Sequence, residues 1–119
     1  MFKESLQEIV EGTEGAIAGL LMGFDGIAVE SWTRGETDLD IQTIGMELSV
    51  VLKDIHRAAE QLETGDAREV AIQAERLTTV VRMINPEYFV ALALRPEGNF
   101  GKGRFLLRLA APKLAAALA

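Results

Sequence analysis

An α/β fold, with one sheet covered by helices on both faces, is predicted by three observations on this sequence. Residues 16–22 (Ala-Ile-Ala-Gly-Leu-Leu-Met) and 88–94 (Tyr-Phe-Val-Ala-Leu-Ala-Leu) are apolar on both alternating faces, as strands are when packed above and below. Asp25-Gly26 separates two apolar runs, a strong short-range mark of a hairpin. Ile41, Leu48, Ile55 and Leu62 recur every seven residues, with Ile44, Val51 and Ala58 interleaved, a spacing that forms one stripe only on a helix.

The elements follow in order. Phe2, Leu6, Ile9, Val10 and Thr13 fall on one side of a 3.6-residue wheel, with Lys3, Glu4, Gln7, Glu8 and Glu11 largely opposite and Gly12 and Gly15 closing the segment, so a short helix opens the chain. The strand at 16–22 comes next, then the Phe24-Asp25-Gly26 turn and a second strand from Ile27 to Trp32. Residues 33–38 form a polar loop, and Asp38 or Asp40 is placed to cap the long helix over about 39–64 by accepting its free N–H groups. At 1.5 Å per residue that helix is about 35–40 Å long, and Gly65 is expected to end it. Gly45, Leu52 and Ala59 widen its stripe along one flank. Three strand-like runs remain, Glu69–Glu75, Leu77–Ile84 and Tyr88–Leu94, joined as a meander through Arg76 and through Asn85-Pro86-Glu87. The last is central, whereas the first alternates more cleanly and belongs near an edge. A glycine-rich connection, Gly98 to Gly103, leads to a final helix from about Arg104, which Pro112 is expected to bend or split near Ala111.

Composition narrows the function. The chain has 119 residues and 49% hydrophobic content, which fits one domain over 1–119 with one buried core and no internal repeat or linker. Eighteen acidic against twelve basic side chains give a net charge of −6, unfavourable for phosphate backbones and anionic lipid heads. Neither nucleic acid nor membrane insertion is expected, because no apolar run approaches a spanning length. There are no cysteines, so disulfides and thiolate metal sites are ruled out. The charged N-terminus lacks the apolar core of a secretory signal, and a cytoplasmic location is the expectation.

No residue set supports catalysis. His56 is the single histidine and lies outside the apolar stripe beside Arg57 and near Glu60, a solvated position; alone it cannot assemble a zinc site. Gly98-Asn99-Phe100-Gly101-Lys102-Gly103 superficially suggests a phosphate cradle, but the spacing to the Gly-Lys pair and the Ser or Thr that should follow are both missing. No Gly-x-Ser-x-Gly elbow exists, and Glu36, Asp38 and Asp40 cluster where capping accounts for them. No catalytic residue, metal or cofactor is therefore assigned, and the chain is read as a non-enzyme. Trp32, at the end of the second strand, is either core or a partner anchor. Met46 and Val50, one helical turn apart and followed on the same side by Lys53 and Arg57, form either an adaptable protein-binding patch with a basic margin or the rim of a wide core face.

The stretch Gly19-Leu20-Leu21-Met22-Gly23-Phe24-Asp25-Gly26-Ile27-Ala28-Val29-Glu30-Ser31, the long helix after it and the segment Gly101-Lys102-Gly103-Arg104-Phe105-Leu106-Leu107-Arg108-Leu109 together resemble the Roadblock family of dynein light chain-like proteins, including its bacterial MglB type. The resemblance covers almost the whole chain. It implies a five-stranded antiparallel sheet in the order 2-1-5-4-3, with the first and last helices on one face and the long helix on the other. It also implies a homodimer in which the third strands pair edge to edge and the long helices pack together. On this basis Val70, Ala71, Ile72 and Gln73 are assigned to the seam, with Gly45, Leu52 and Ala59 as candidate helix contacts. Family members bind small Ras-like GTPases, and some bacterial ones accelerate GTP hydrolysis by repositioning residues of the GTPase. That docking mode implies Met46, Val50, Lys53 and Arg57 as partner contacts. A dimeric scaffold or adaptor with no effect on nucleotide turnover is the alternative.

Overall fold

The computed structural model describes residues 1–119, in the element order α1 (Phe2–Glu11), β1 (Ala16–Gly23), β2 (Ala28–Thr33), α2 (Ile41–Leu62), β3 (Glu69–Gln73), β4 (Thr78–Met83), β5 (Tyr88–Leu94) and α3 (Phe100–Leu118). The five strands form one sheet in the order β2-β1-β5-β4-β3, and every neighbouring pair is antiparallel. The sequence order and the implied topology both hold. β1 and β5 are central and buried along almost their whole length.

Because side chains alternate along a strand, each central strand feeds two cores. On one face Leu21, Val90, Leu92 and Val80 meet Leu6, Ile9 and Val10 of α1 and Leu107 and Leu114 of α3. On the other, Leu20, Met22, Phe89, Ala91 and Val81 meet Ile41, Leu48 and Leu52 of α2. The small residues Ala91 and Ala93 in β5 leave room for α2, and the larger Val90, Leu92 and Leu94 fill the space between α1 and α3.

Local chemistry sets the boundaries. The β1–β2 turn uses Gly26 at φ +86°, with Asp25 Oδ1 accepting from the Ile27 amide at 3.0 Å; only the glycine takes the left-handed conformation, and Ile27 lies in the turn, so β2 begins one residue later than expected. Asp40 is the N-cap of α2, accepting from the Gln42 and Thr43 amides as the helix's orphan donors require. The Thr43 hydroxyl also donates to Asp40 at 2.8 Å, and these bonds hold the Asp40 carboxyl below its ordinary range. At the other end the left-handed cap is Glu63 at φ 56°, two residues before Gly65. Arg34 donates to the carbonyls of Val10 and Thr13, closing α1 with a cation where its dipole favours one.

Two expectations about the last helix are corrected. α3 starts at Phe100, not Arg104, because Asn99 caps it by accepting from the Lys102 amide at 3.1 Å. Phe100 to Gly103 is therefore the first turn of a helix and not part of the connection before it. Gly103 is there for packing: a Cβ would lie 2.9 Å from Leu92 Cδ2 and 3.3 Å from Thr13 Cγ2, so α3 approaches β5 more closely than any other residue allows. Pro112 neither splits nor ends the helix, which continues to Leu118. Pro112 is exposed, so the hydrogen bond it removes is lost on a face open to water, where the freed carbonyl is solvated.

Glu69 at the start of β3 ties the sheet edge to α3. It accepts from Arg104 Nε at 2.9 Å and Nη2 at 2.7 Å, a bidentate pair. Bonding to Arg104 is the chief reason its carboxyl titrates below the ordinary value of 4.5. A lowered folded-state pKa adds stability above the unfolded value, and that stability is lost as pH falls through the folded one. Glu69→Gln is therefore expected to lower stability at neutral pH and to flatten the decline below pH 4.5, as urea titrations across that range would report.

Candidate interaction surfaces

The first surface is the β3 edge. β3 pairs only with β4, so one side of its backbone is unpartnered. The Met83 amide donates to the Arg68 carbonyl, and the Ala74 amide to the Leu77 carbonyl. Since bonding alternates along an antiparallel pair, the even residues Val70 and Ile72 face β4, and Glu69, Ala71 and Gln73 turn their N–H and C=O groups outward. On the α2 face Ile72 is exposed and Val70 half-buried. Val70, Ala71, Ile72 and Gln73 thus lie together on an open margin of the kind that templates strand pairing.

The second surface is α2, and here the candidate residues separate. Leu52 is fully buried beneath the helix. Gly45 is also buried, and a Cβ there would collide with Leu20 Cδ2 and come within 2.9 Å of Met22 Cε. Both positions contact the chain's own sheet and are closed to a second helix, a correction to the contact expected from their small or apolar character. Ala59 is half-buried on the same line. The free apolar flank is instead Val51, Ala58 and Leu62, of which Leu62 is 72% exposed, with the half-buried Ile44 on the same line packed against the core. The cause is geometric. An ideal helix drifts about 20° per heptad, so a seven-residue repeat that starts under the sheet at Ile41 and Leu48 has rotated out of it by Leu62.

Met46 and Val50 lie on the side of α2 away from the sheet, 57% and 62% exposed, with Lys53 and Arg57 exposed along the same side. The structure brings these four into one patch. Arg57 is 3.8 Å from Asp54, and His56 is 3.1 Å from Glu60; these solvent-exposed pairs contribute little. Ser49 donates to the Met46 carbonyl at 2.7 Å, satisfying the one hydroxyl buried under the patch. Trp32 is half-buried against the core shared by α1 and α3, so packing accounts for it.

A feature that residue patterns did not indicate is a hollow of about 520 Å³ between the second half of α2 and the β4–β5 turn, floored by Phe24, Leu52 and Met83 and rimmed by Lys53, His56 and Arg68. Residues far apart in sequence close around it, so no local spacing could have announced it. No helix is long and apolar enough to cross a membrane.

Comparison with solved structures gives the relationship. MglC from Myxococcus xanthus is 43% identical, with 98% of each chain covered and a TM-score of 0.71. The gliding protein MglB from Thermus thermophilus is 20% identical over 95% of this chain and 84% of its own, at a TM-score of 0.85. A Roadblock/LC7 domain from Streptomyces avermitilis is 13% identical over 98% and 96%, also at 0.85. No protein-family model and no curated protein matches the sequence. With 43% identity over nearly the whole of both chains, this chain belongs to one family with MglC, and its β2-β1-β5-β4-β3 sheet with helices divided between the two faces is the Roadblock/LC7 fold that the MglB structures share.

Proposed function

We propose that this protein is a homodimeric regulator in which β3 edges and α2 flanks join two subunits, and the outward side of the paired α2 helices receives a small Ras-like GTPase and shifts its nucleotide state. The observation that carries the reading is the exposed Met46 and Val50 pair with Lys53 and Arg57 alongside. An exposed apolar pair, flexible at Met46, with cations along one side suits an adaptable protein contact. Self-association is supported by the open β3 margin and the Val51, Ala58 and Leu62 ridge, which leave apolar area and backbone groups for a copy to cover. A related MglB has been described in a tetrameric arrangement, in keeping with a fold that assembles through its own surfaces. A regulator of this kind acts by shape, repositioning groups of the GTPase, and needs no reactive side chain of its own.

The test is GTP turnover by a small Ras-like GTPase encoded in the same genome, with and without this protein. Wild type is expected to bind and to change the rate. Met46→Glu combined with Val50→Glu is expected to weaken binding by at least about tenfold, the loss of roughly 1.4 kcal/mol, with an unchanged melting temperature because both side chains are already in water. Binding without any change in hydrolysis or exchange would favour an adaptor role, and absence of binding to every candidate GTPase would end the proposal.

A further inference from the structure

The outer face of α3 is unlike the rest of the surface. Gly103, Leu107, Ala111 and Leu114 form its buried line. Offset by two residues, about 200° around the wheel, Phe105, Leu109, Pro112 and Ala116 form a second apolar line directed at solvent, with Phe105 43% and Leu109 51% exposed. In a chain of net charge −6, α3 holds Lys102, Arg104, Arg108 and Lys113 and no acidic residue. Arg104 is neutralised by Glu69. Lys102, Arg108 and Lys113 take part in none of the molecule's ion pairs and border the apolar line on both sides. Arg108 sits over the Phe105 ring at 5.7 Å, which keeps its guanidinium at the margin of the stripe.

We infer that this face of α3 docks an acidic amphipathic helix of another polypeptide, with apolar residues on Phe105 and Leu109 and carboxylates on Lys102, Arg108 and Lys113. Charge complementarity selects this occupant. A second copy set α3 against α3 would oppose two groups of unpaired cations, and set α3 against α1 would lay the apolar line on Glu4, Glu8 and Glu11, which are exposed on the neighbouring helix. An anionic lipid surface would meet those same glutamates in the layer that presents α3. A helix with its own apolar stripe and acidic margins satisfies both parts of the face at once. The surface lies across the sheet from the α2 patch and is independent of the function proposed above.

The test uses the full chain and a fluorescein-labelled synthetic helix of about 18 residues, comparable in length to α3 at 1.5 Å per residue. It carries leucines at i, i+4, i+7 and i+11, glutamates only at the positions flanking that stripe and alanine elsewhere to keep it helical, and a control has lysines for the glutamates. Fluorescence anisotropy is expected to show saturable binding of the acidic helix, at least about tenfold weaker binding of the basic one, and weakening as salt rises. Leu109→Asp and Arg108→Glu are each expected to reduce affinity by about tenfold or more, and Met46→Glu with Val50→Glu to leave it unchanged. If Leu109→Asp fails to fold, Arg108→Glu on the exposed margin carries the same test. The inference is overturned if the acidic helix does not bind or binds Arg108→Glu equally well. Phosphatidylserine vesicles captured through Leu109 would overturn it in favour of a membrane, and a change in sedimentation on Leu109→Asp with peptide binding intact would overturn it in favour of a second copy.

Discussion

Ala71→Pro and Ile72→Lys are each expected to release single subunits, raising the dissociation constant of the proposed dimer on the order of a hundredfold, about 2.7 kcal/mol. They act through different groups, and that difference makes the pair diagnostic. Ala71 turns its N–H away from β4, since bonding alternates between the Arg68–Met83 and Ala74–Leu77 contacts. A proline there leaves the intrachain ladder intact, as edge strands tolerate, and removes one donor from any strand that adds to the margin. Ile72 keeps its ladder bonds in both forms. Its half-exposed side chain lies on the α2 face, and a lysine would bring an unpaired charge into the seam, where burial is costly. Sedimentation velocity at micromolar concentration reads the outcome directly. A melting temperature that depends on protein concentration in wild type and not in the variants would be the thermodynamic counterpart. If both variants keep the wild-type sedimentation coefficient, β3 is not the seam.

A second pair of expectations concerns neighbours on α2 with opposite fates. Leu52→Ala is expected to lower stability by about 2–5 kcal/mol, because its side chain is fully buried among Leu20, Met22 and Phe89. Val51→Glu, one residue away and exposed, is expected to leave the stability of a single subunit within about 0.5 kcal/mol while weakening association, since Val51 belongs to the free flank with Ala58 and Leu62. Urea unfolding separates the two on stability, and light scattering separates them on assembly. A Val51→Glu variant that dimerises as wild type does would remove α2 from the interface and leave β3 alone.

These two pairs mark how far the residue patterns reached. The alternation in β3 identifies an edge strand and its boundaries to within two residues, because a half-buried strand leaves a period of two in the chain. The grouping of Met46, Val50, Lys53 and Arg57 on one side of α2 follows from helical spacing, and the structure decided that this side faces solvent. The same spacing could not tell Leu52 from Val51 as the residue that meets a partner. Both are apolar and adjacent, and the choice depends on how α2 is rotated over the sheet. The contacts of Gly45 with Leu20 and Met22 set that rotation. The start of α3 was similarly hidden. Gly101 and Gly103 read as a loop by propensity, and the capping by Asn99 together with the space needed between Gly103, Leu92 and Thr13 makes them helical.

From the amino-acid order alone come the identity and sequence of all eight elements, the central place of β1 and β5 and the side of α1 that avoids water, because burial leaves a periodic trace wherever a segment meets a neighbour. Tertiary structure alone decided the azimuth of α2, the hollow beside Lys53 and His56, the helical glycines of α3 and the unpaired cations on its outer face. Each of these depends on distances between segments remote in sequence, and pairwise distance in space has no period along the chain.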